Sequence, residues 1–190
     1  SNNATLAVRL PNSLSEFNNG LVAYYPFTGN AQDASGNGHH GTVHGATLTT
    51  DRNNTASRAY NFNGSSSRID IPDTILNPSE AEFTFSSWIM PRSVDGNRHV
   101  MMQGASNGEA VIKLSAGEIK FGVHLAAGDW HWISGGIIPA NQFVHIVGTY
   151  KKGQELAVWV NGSLMGTKVL PTQNLHQVSS HPASIGAYRS

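Results

Sequence analysis

The chain has 190 residues, a formal net charge of zero and no cysteine. This length suits one domain able to bury roughly 70% of its unfolded surface, and the lack of cysteine excludes disulfides and thiolate metal sites. Charged residues make up only 13% of the sequence, so we expect no basic face and no nucleic-acid partner. No apolar run reaches the roughly 18 residues of a membrane span, so we expect no membrane insertion.

Residues 1–20 differ in composition from the rest of the chain and are predicted to form an N-terminal extension. Within it, Thr5–Leu10 alternates as a short strand would, Pro11 ends that strand, and residues 12–20 have the composition of a linker. The folded domain is predicted to span residues 21–190.

The first part of this domain combines apolar runs with a polar, glycine-rich loop. Leu21–Phe27 is predicted to be an apolar, aromatic strand, and Thr42–Thr49 is predicted to be the strand that follows the loop. Further strands are predicted at Ala59–Phe62, Arg68–Ile71 and Phe83–Met90, the last of which ends at a proline.

Turn signals follow at intervals of about ten residues, each ending in glycine: Asp95-Gly96, Asn107-Gly108, Ala116-Gly117, Ala127-Gly128, Lys152-Gly153 and Asn161-Gly162. Two-residue turns ending in glycine are typical of antiparallel hairpins. The even spacing therefore favours an all-β sandwich or barrel over any α/β arrangement.

Four segments resemble, in order, the signatures of one family: AYYPFTGNAQDASGNGHHG, AYNFNGSSSRIDIP, FTFSSWIMP and HIVGTYKKGQELAVWVNG. They are similar to the laminin-G-like, pentraxin-related branch of the concanavalin A-like lectin/glucanase superfamily, and the resemblance covers residues 21–190. It implies two antiparallel sheets packed as a jelly-roll β-sandwich. It also implies a non-catalytic, extracellular module of a larger secreted or surface protein, which binds carbohydrate or another cell-surface ligand or serves in adhesion.

The chain departs from the family pattern near its C-terminal end. Pentraxins carry calcium ligands after the last Ile-Gly strand, whereas residues 187–190 contain no carboxylate, so we expect no pentraxin-type double-calcium site. Most relatives continue with one or two further strands beside the first strand, and the domain is expected to lack these. We expect a strand from residues 5–10, from a second copy or from a separate C-terminal fragment to fill the gap, and we favour residues 5–10.

An enzyme of the same jelly roll, a glycoside hydrolase or polysaccharide lyase, is the alternative function. Glycanases of this fold place two or three carboxylates on one strand. The nearest match is Glu80-Ala81-Glu82, and no third acid follows in Phe83–Met90. We therefore expect no catalytic residues, and a structural accessory domain without a ligand is the third alternative.

The loop at residues 29–41 is a candidate calcium site. Calcium binds six to eight oxygens from carboxylates, amides and carbonyls, and Asp33 and Asn37 could supply two of them beside a glycine-rich backbone. The competing hypothesis, which we favour, is that Asp33 accepts hydrogen bonds from N–H groups of the turn.

The candidate ligand-binding residues are Trp130, His131 and Trp132. Strand alternation places both indoles on one face and the imidazole on the other. If that face is inside the sandwich, the indoles belong to the core. If it is outside, they form a platform on which sugar rings can stack. Trp88 and Trp159 lie in apolar strands and are predicted to be core residues.

Overall fold

A computed structural model of the chain describes residues 20–72, 75, 81–104, 109–176 and 183–186. The predictions for residues 5–10, Asn107-Gly108, Glu80 and residues 187–190 lie outside these ranges. The described residues form these strands: β1 Thr42–His44, β2 Thr47–Thr49, β3 Ala59–Asn61, β4 Arg68–Ile71, β5 Glu82–Ile89, β6 Asn97–Gln103, β7 Ala110–Ser115, β8 Glu118–His124, β9 Trp130–Ile137, β10 Val144–Lys151, β11 Glu155–Val160, β12 Ser163–Val169 and β13 Ala183–Gly186.

The strands form two large sheets and one small one. One large sheet has the order β1-β4-β13-β6-β7-β8-β9, the other has the order β12-β11-β10-β5, and β2 pairs with β3. Every strand pair is antiparallel. This confirms the predicted all-β, two-sheet jelly-roll β-sandwich. Within the described residues, no helix has the length and apolar character needed to cross a membrane.

The core lies between the two large sheets. Leu114 and Phe121 point inward from β7 and β8 and are at most 1% exposed. Phe121 meets Phe83 of the opposite sheet, with ring centroids 6.2 Å apart, and Phe83 stacks on the buried Tyr150. Burial of this apolar surface, worth about 25 cal/mol per Å², is the main stabilising term. Because side chains alternate along a strand, the residues between these point to the outer face of the sheet.

Two of the predicted tight turns are confirmed by their backbone angles. Ala116 and Gly117 have φ values of 50° and 82°, and Asn161 and Gly162 have φ values of 50° and 80°. Positive φ at both central residues is the signature of the hairpin turns that match the twist of the flanking strands. The described residues between 97 and 170 contain no helix, as the predicted meander requires.

The prediction of a strand at Leu21–Phe27 is wrong. The backbone of this segment bonds to the polar loop that follows it rather than to a strand. The Tyr24 N–H donates to Asp33 and the Tyr24 carbonyl accepts from the Ala34 N–H. Phe27 has a φ of 52°, which ends any extended run. The predicted strand at Thr42–Thr49 is divided into β1 and β2 at Gly45, whose φ is 66°.

A cleft of about 2260 Å³ opens beside β5, the last strand in the order of the four-stranded sheet. Residues 20–27, 58–65, 82–93 and 97–101 contribute to its walls. Among the described strands, β10 is the one that pairs with β5, so the other edge of β5 has no described strand beside it. The gap was predicted beside Leu21–Phe27, which is not a strand but lines the same cleft, and the filling of this space by a further strand stays a prediction.

Candidate ligand-binding site

Trp130 and Trp132 lie on the outer face of the seven-stranded sheet. They belong to β9, and both indoles are half-buried. The alternate residues of β9 are on the opposite, inward face, because Ile133 packs against the core and His131 stands opposite the buried Val123. His131 therefore points away from both indoles, which was predicted from the alternation. The two indoles therefore do not belong to the core between the sheets, and their role as a platform for sugar rings stays a prediction.

The two indoles continue into a row of stacked aromatic rings. Trp130 and Trp132 have centroids 4.8 Å apart and planes 15° apart. His124 stacks on Trp130 at 5.0 Å and 5°, and His176 stacks on His124 at 4.3 Å. A backbone bond from the His176 N–H to the His124 carbonyl, 2.8 Å long, holds the last ring in place. We call these four residues the aromatic stack.

The pairing of β8 with β9 explains why the stack forms here. The register places His124 opposite Trp130 and Gly122 opposite Trp132. Directly opposite side chains in an antiparallel pair are about 4.5–5.5 Å apart at Cβ, so the imidazole meets the indole face to face. The sequence did not single out His124, His176 or Gly122. A two-residue turn at Ala127-Gly128, as predicted, would place Leu125 opposite Trp130. The loop is one residue longer, with the Leu125 N–H donating to the Asp129 carbonyl, and this shift by one residue brings His124 opposite Trp130.

A row of basic side chains adjoins the stack on the same face. The register aligns His99 with Lys113, Lys113 with Lys120, and Lys120 with Ser134. The Lys113 ammonium lies 4.4 Å from the centroid of the Trp132 ring, a cation–π contact. The outer face thus places aromatic surface and positive charge side by side, which suits a ligand with apolar faces and polar or anionic substituents.

Burial and neighbouring charge act on two members of this row. Burial lowers the pKa of Lys113, and the Lys120 ammonium lowers it further. Burial, and then the Lys113 charge, lowers the pKa of His99. Both shifts disfavour the charged form of the side chain.

Asp33 occupies the centre of the polar loop at residues 29–41 and is 6% exposed. Its Oδ1 accepts hydrogen bonds from the N–H groups of Tyr24 and Ser35, at 2.9 and 2.8 Å. Its Oδ2 accepts from the Ser35 hydroxyl and the His39 N–H, at 2.7 and 3.0 Å. Burial raises the pKa of Asp33, but these hydrogen bonds outweigh burial and lower it from 3.8 to about 2. The carboxylate stabilises the loop in the manner of a turn cap.

Asn37, the second candidate calcium ligand, donates its amide N–H groups to the carbonyls of Leu21 and Val22, each at 2.9 Å. Among the described residues, no group of three or more histidine, aspartate or glutamate side chains is placed to hold a metal ion. Calcium at Asp33 and Asn37 stays a prediction, and the ion would compete with the donors that already contact the carboxylate.

The prediction that Trp88 belongs to the core is wrong. Trp88 is 46% exposed and lies on the outer face of the four-stranded sheet, where it stacks on His145 at 4.9 Å. The Arg52 guanidinium lies 4.6 Å from its ring centroid. The apolar letters around Trp88 misled the prediction, because β5 alternates and its inward residues are Phe83 and Phe85. This second aromatic cluster provides a matched comparison for the aromatic stack.

The chain has the two-sheet architecture of jelly-roll binding and catalytic domains. A family model described as the concanavalin A-like lectin/glucanases superfamily matches residues 63–190. The chain therefore belongs to this superfamily, as its sequence resemblance predicted. No curated protein sequence matches the chain.

Known crystal structures share this fold at low sequence identity. The binding domain of Paraclostridial Mosquitocidal Protein 1 matches with a TM-score of 0.71 and 20% identity, over 88% of this chain and 44% of that one. The receptor-binding domain of botulinum neurotoxin C/D mosaic serotype matches with a TM-score of 0.67 and 12% identity, over 88% and 43% of the two chains. The binding domain of botulinum neurotoxin DC in complex with SialylT matches with a TM-score of 0.68 and 13% identity, over 88% and 44%. The chain spans less than half the length of these proteins.

Proposed function

We propose that this domain is a non-catalytic carbohydrate-binding module that acts outside the cell, as part of a secreted or surface protein. The observation that carries the proposal is the aromatic stack on the outer face of the seven-stranded sheet, in which two half-buried indoles stack on each other. Aromatic rings displayed on a sheet away from the core offer apolar surface to the C–H faces of sugar rings, while their polar atoms remain available for hydrogen bonds.

The size of the stack sets the expected affinity. A fully exposed aromatic side chain can bury about 150–250 Å², and each indole here is already half-buried. At about 25 cal/mol per Å², the remaining surface gives a gross gain of a few kcal/mol. Once the costs of association are subtracted, binding to a single glycan is expected in the millimolar to micromolar range.

The names of the structurally similar proteins agree with a glycan or cell-surface ligand. They are binding or receptor-binding domains, one of them in complex with SialylT and another from a toxin whose cell entry depends on two ganglioside molecules. Their identity to this chain is at most 20%, so they support the kind of function and do not indicate which residues carry it.

A glycan array probed with the wild-type domain and with a Trp130→Ala/Trp132→Ala double variant tests the proposal. We expect defined glycans to bind the wild type and to lose most of their signal with the double variant. Trp88→Ala is the matched control, because it removes an exposed indole from the opposite sheet. Equal binding by the double variant and the wild type, or no glycan binding by a folded wild type, would reject the proposal.

The enzyme alternative has a separate test. Glu82 is exposed at the start of β5, in the four-stranded sheet and not beside the aromatic stack. We expect no release of reducing ends when the domain is incubated with any glycan that it binds. If reducing ends are released, and Glu82→Gln lowers the rate about a hundredfold, the domain is a glycanase.

Strand addition at β5 is a second candidate function, which would make the domain an adhesion or assembly module. The observation that favours it is the cleft of about 2260 Å³ beside a strand whose second edge has no described partner. Open edges pair readily with other strands, and the donor would be a second copy or a separate C-terminal fragment. Sedimentation equilibrium of the full chain tests self-association: a monomer at every concentration would exclude the second copy as donor.

A further inference from the structure

We infer that the aromatic stack selects glycans that carry a negative charge, a carboxylate or a sulfate group, and that Lys113 is the residue that recognises this charge. The inference rests on the proposed function and deepens it by naming the class of ligand. It identifies a specificity-determining residue that the sequence did not indicate, because Lys113 and Trp132 lie on strands separated by β8.

Lys113 is placed where a charge on a stacked sugar would meet it. Its ammonium lies 4.4 Å from the centroid of the Trp132 ring. On β8, which separates their strands, Gly122 is opposite Trp132 and Lys120 is opposite Lys113, and the missing side chain at Gly122 leaves room for the indole. A sugar that contacts the exposed part of the Trp132 ring therefore lies next to the Lys113 ammonium.

Lys113 also has no carboxylate partner among the described residues. The neighbouring Lys120 does, since its ammonium lies 3.2 Å from Glu118, and Glu118 also accepts a hydrogen bond from the Ser134 hydroxyl. The other ion pairs in the described part of the chain join Asp70 to His44 and to Arg68. Lys113 is half-buried, and a partly desolvated charge gains more from an added counter-ion than a fully hydrated one.

The surroundings of Lys113 reinforce this selection. Burial and the nearby Lys120 lower its pKa, which means that the charged form is held in an unfavourable environment. A ligand anion placed beside the two ammonium groups relieves both effects, because it provides the opposite charge within a site partly shielded from water. A neutral glycan provides no such charge, so both unfavourable effects on Lys113 remain.

The chain provides a matched control for a cation on an indole. Arg52 lies over Trp88 on the other sheet at 4.6 Å, so Arg52→Gln removes the same kind of contact at a different site. Lys113→Gln removes the charge beside Trp132 but keeps much of the side chain, and Lys113→Arg keeps the charge. Together the three variants separate the role of the charge from that of packing against the ring.

The experiment measures affinity for sets of glycans that share a core and differ by one charged group. Lactose, sialyllactose and sulfated lactose form one such set, and an array supplies equivalent sets with other cores. We expect the charged member of the best-binding set to bind about tenfold more tightly than the neutral one. Lys113→Gln should remove that preference, measured as the ratio of the two affinities. Lys113→Arg should keep the preference, and Arg52→Gln should have no effect. The carboxylated and sulfated members show which anion is preferred.

Salt provides a second readout, because the attraction between exposed or partly buried charges is screened. The preference should shrink as sodium chloride is raised, while neutral binding changes little. Equal affinity for charged and neutral members, or a preference that persists in Lys113→Gln, would overturn the inference but leave the glycan-binding proposal standing. Absence of all glycan binding would reject both.

Discussion

The indole of Trp132 lies directly over Gly122, its partner on the neighbouring strand. A β-carbon on Gly122 would come within 2.3 Å of the indole Cε3 atom and within 2.6 Å of Cζ3. Distances below about 3 Å do not occur between such atoms, so any other residue at position 122 must displace the ring. The missing side chain at Gly122 thus determines where one of the two indoles of the aromatic stack lies.

Gly122→Ala should therefore weaken glycan binding without unfolding the domain. The ring it displaces lies on the outer face, where the solvent side offers space for it to move, so we expect only a modest loss of stability. We expect affinity to fall about tenfold, because the stack and the contact with Lys113 both depend on the position of Trp132. Titration with the best-binding glycan, together with a thermal melt, checks both statements.

Gly148→Ala is the matched control for that substitution. A β-carbon at position 148 would lie 2.7 Å from Cγ of Phe121, a fully buried core residue. Overpacking a core costs roughly 1–3 kcal/mol, so we expect a lower free energy of unfolding in urea and unchanged affinity in the fraction that remains folded. The opposite pattern, with Gly122→Ala unstable and Gly148→Ala unable to bind, would contradict the assignment of the two faces.

Asp33→Asn should destabilise the domain near neutral pH. The carboxylate accepts four hydrogen bonds, and an amide can accept them at only one of its two polar atoms. The lowering of its pKa from 3.8 to about 2 corresponds to roughly 2 kcal/mol of stabilisation. Because the pKa of the folded state is the lower one, this stabilisation is present above about pH 4 and is lost as the pH falls towards 2. Urea unfolding of the wild type and Asp33→Asn over this range should converge at low pH, whereas the exposed Asp129→Asn should follow the wild type.

The calcium prediction is tested with the same loop. The hydrogen bonds already made by Asp33 lead us to expect the same melting temperature in EDTA and in millimolar calcium chloride. An ion that binds the native state alone would raise the melting temperature. A melting temperature that rises when calcium is added to the wild type, but not when it is added to Asp33→Asn, would establish the metal site. Asn37→Ala is the second test of its ligands.

Most of the fold could be predicted from the sequence, because the local turn and strand signals agree with the strand pairing over much of the chain. The turns at Ala116-Gly117 and Asn161-Gly162 need positive φ, which glycine supplies. The prediction of a strand at Leu21–Phe27 was wrong because an apolar sequence does not show that the backbone of this segment will hydrogen-bond to the Asp33 loop. An apolar run shows that a segment is buried or half-buried, and the partner of its N–H and C=O groups is a separate, long-range matter.

The candidate site was predictable only in part for a related reason. Alternation alone places Trp130 and Trp132 on one face of a strand. Which face is outside depends on the sheet that packs on the other side, and Trp88 was misassigned for lack of that information. His124 and Lys113 join the indoles through strand register, while His176 approaches from a segment that is distant in sequence. No short-range pattern encodes that approach.

The indole N–H signals of the four tryptophans can show directly whether the ligand contacts the aromatic stack. In a two-dimensional ¹⁵N–¹H NMR titration with the best-binding glycan, each tryptophan reports on its own surroundings. We expect progressive shifts of the Trp130 and Trp132 signals, assigned by single substitution, with the Trp88 and Trp159 signals unchanged. Shifts confined to Trp88 or Trp159, or binding that leaves all four signals in place, would show that the aromatic stack is not the ligand-binding site.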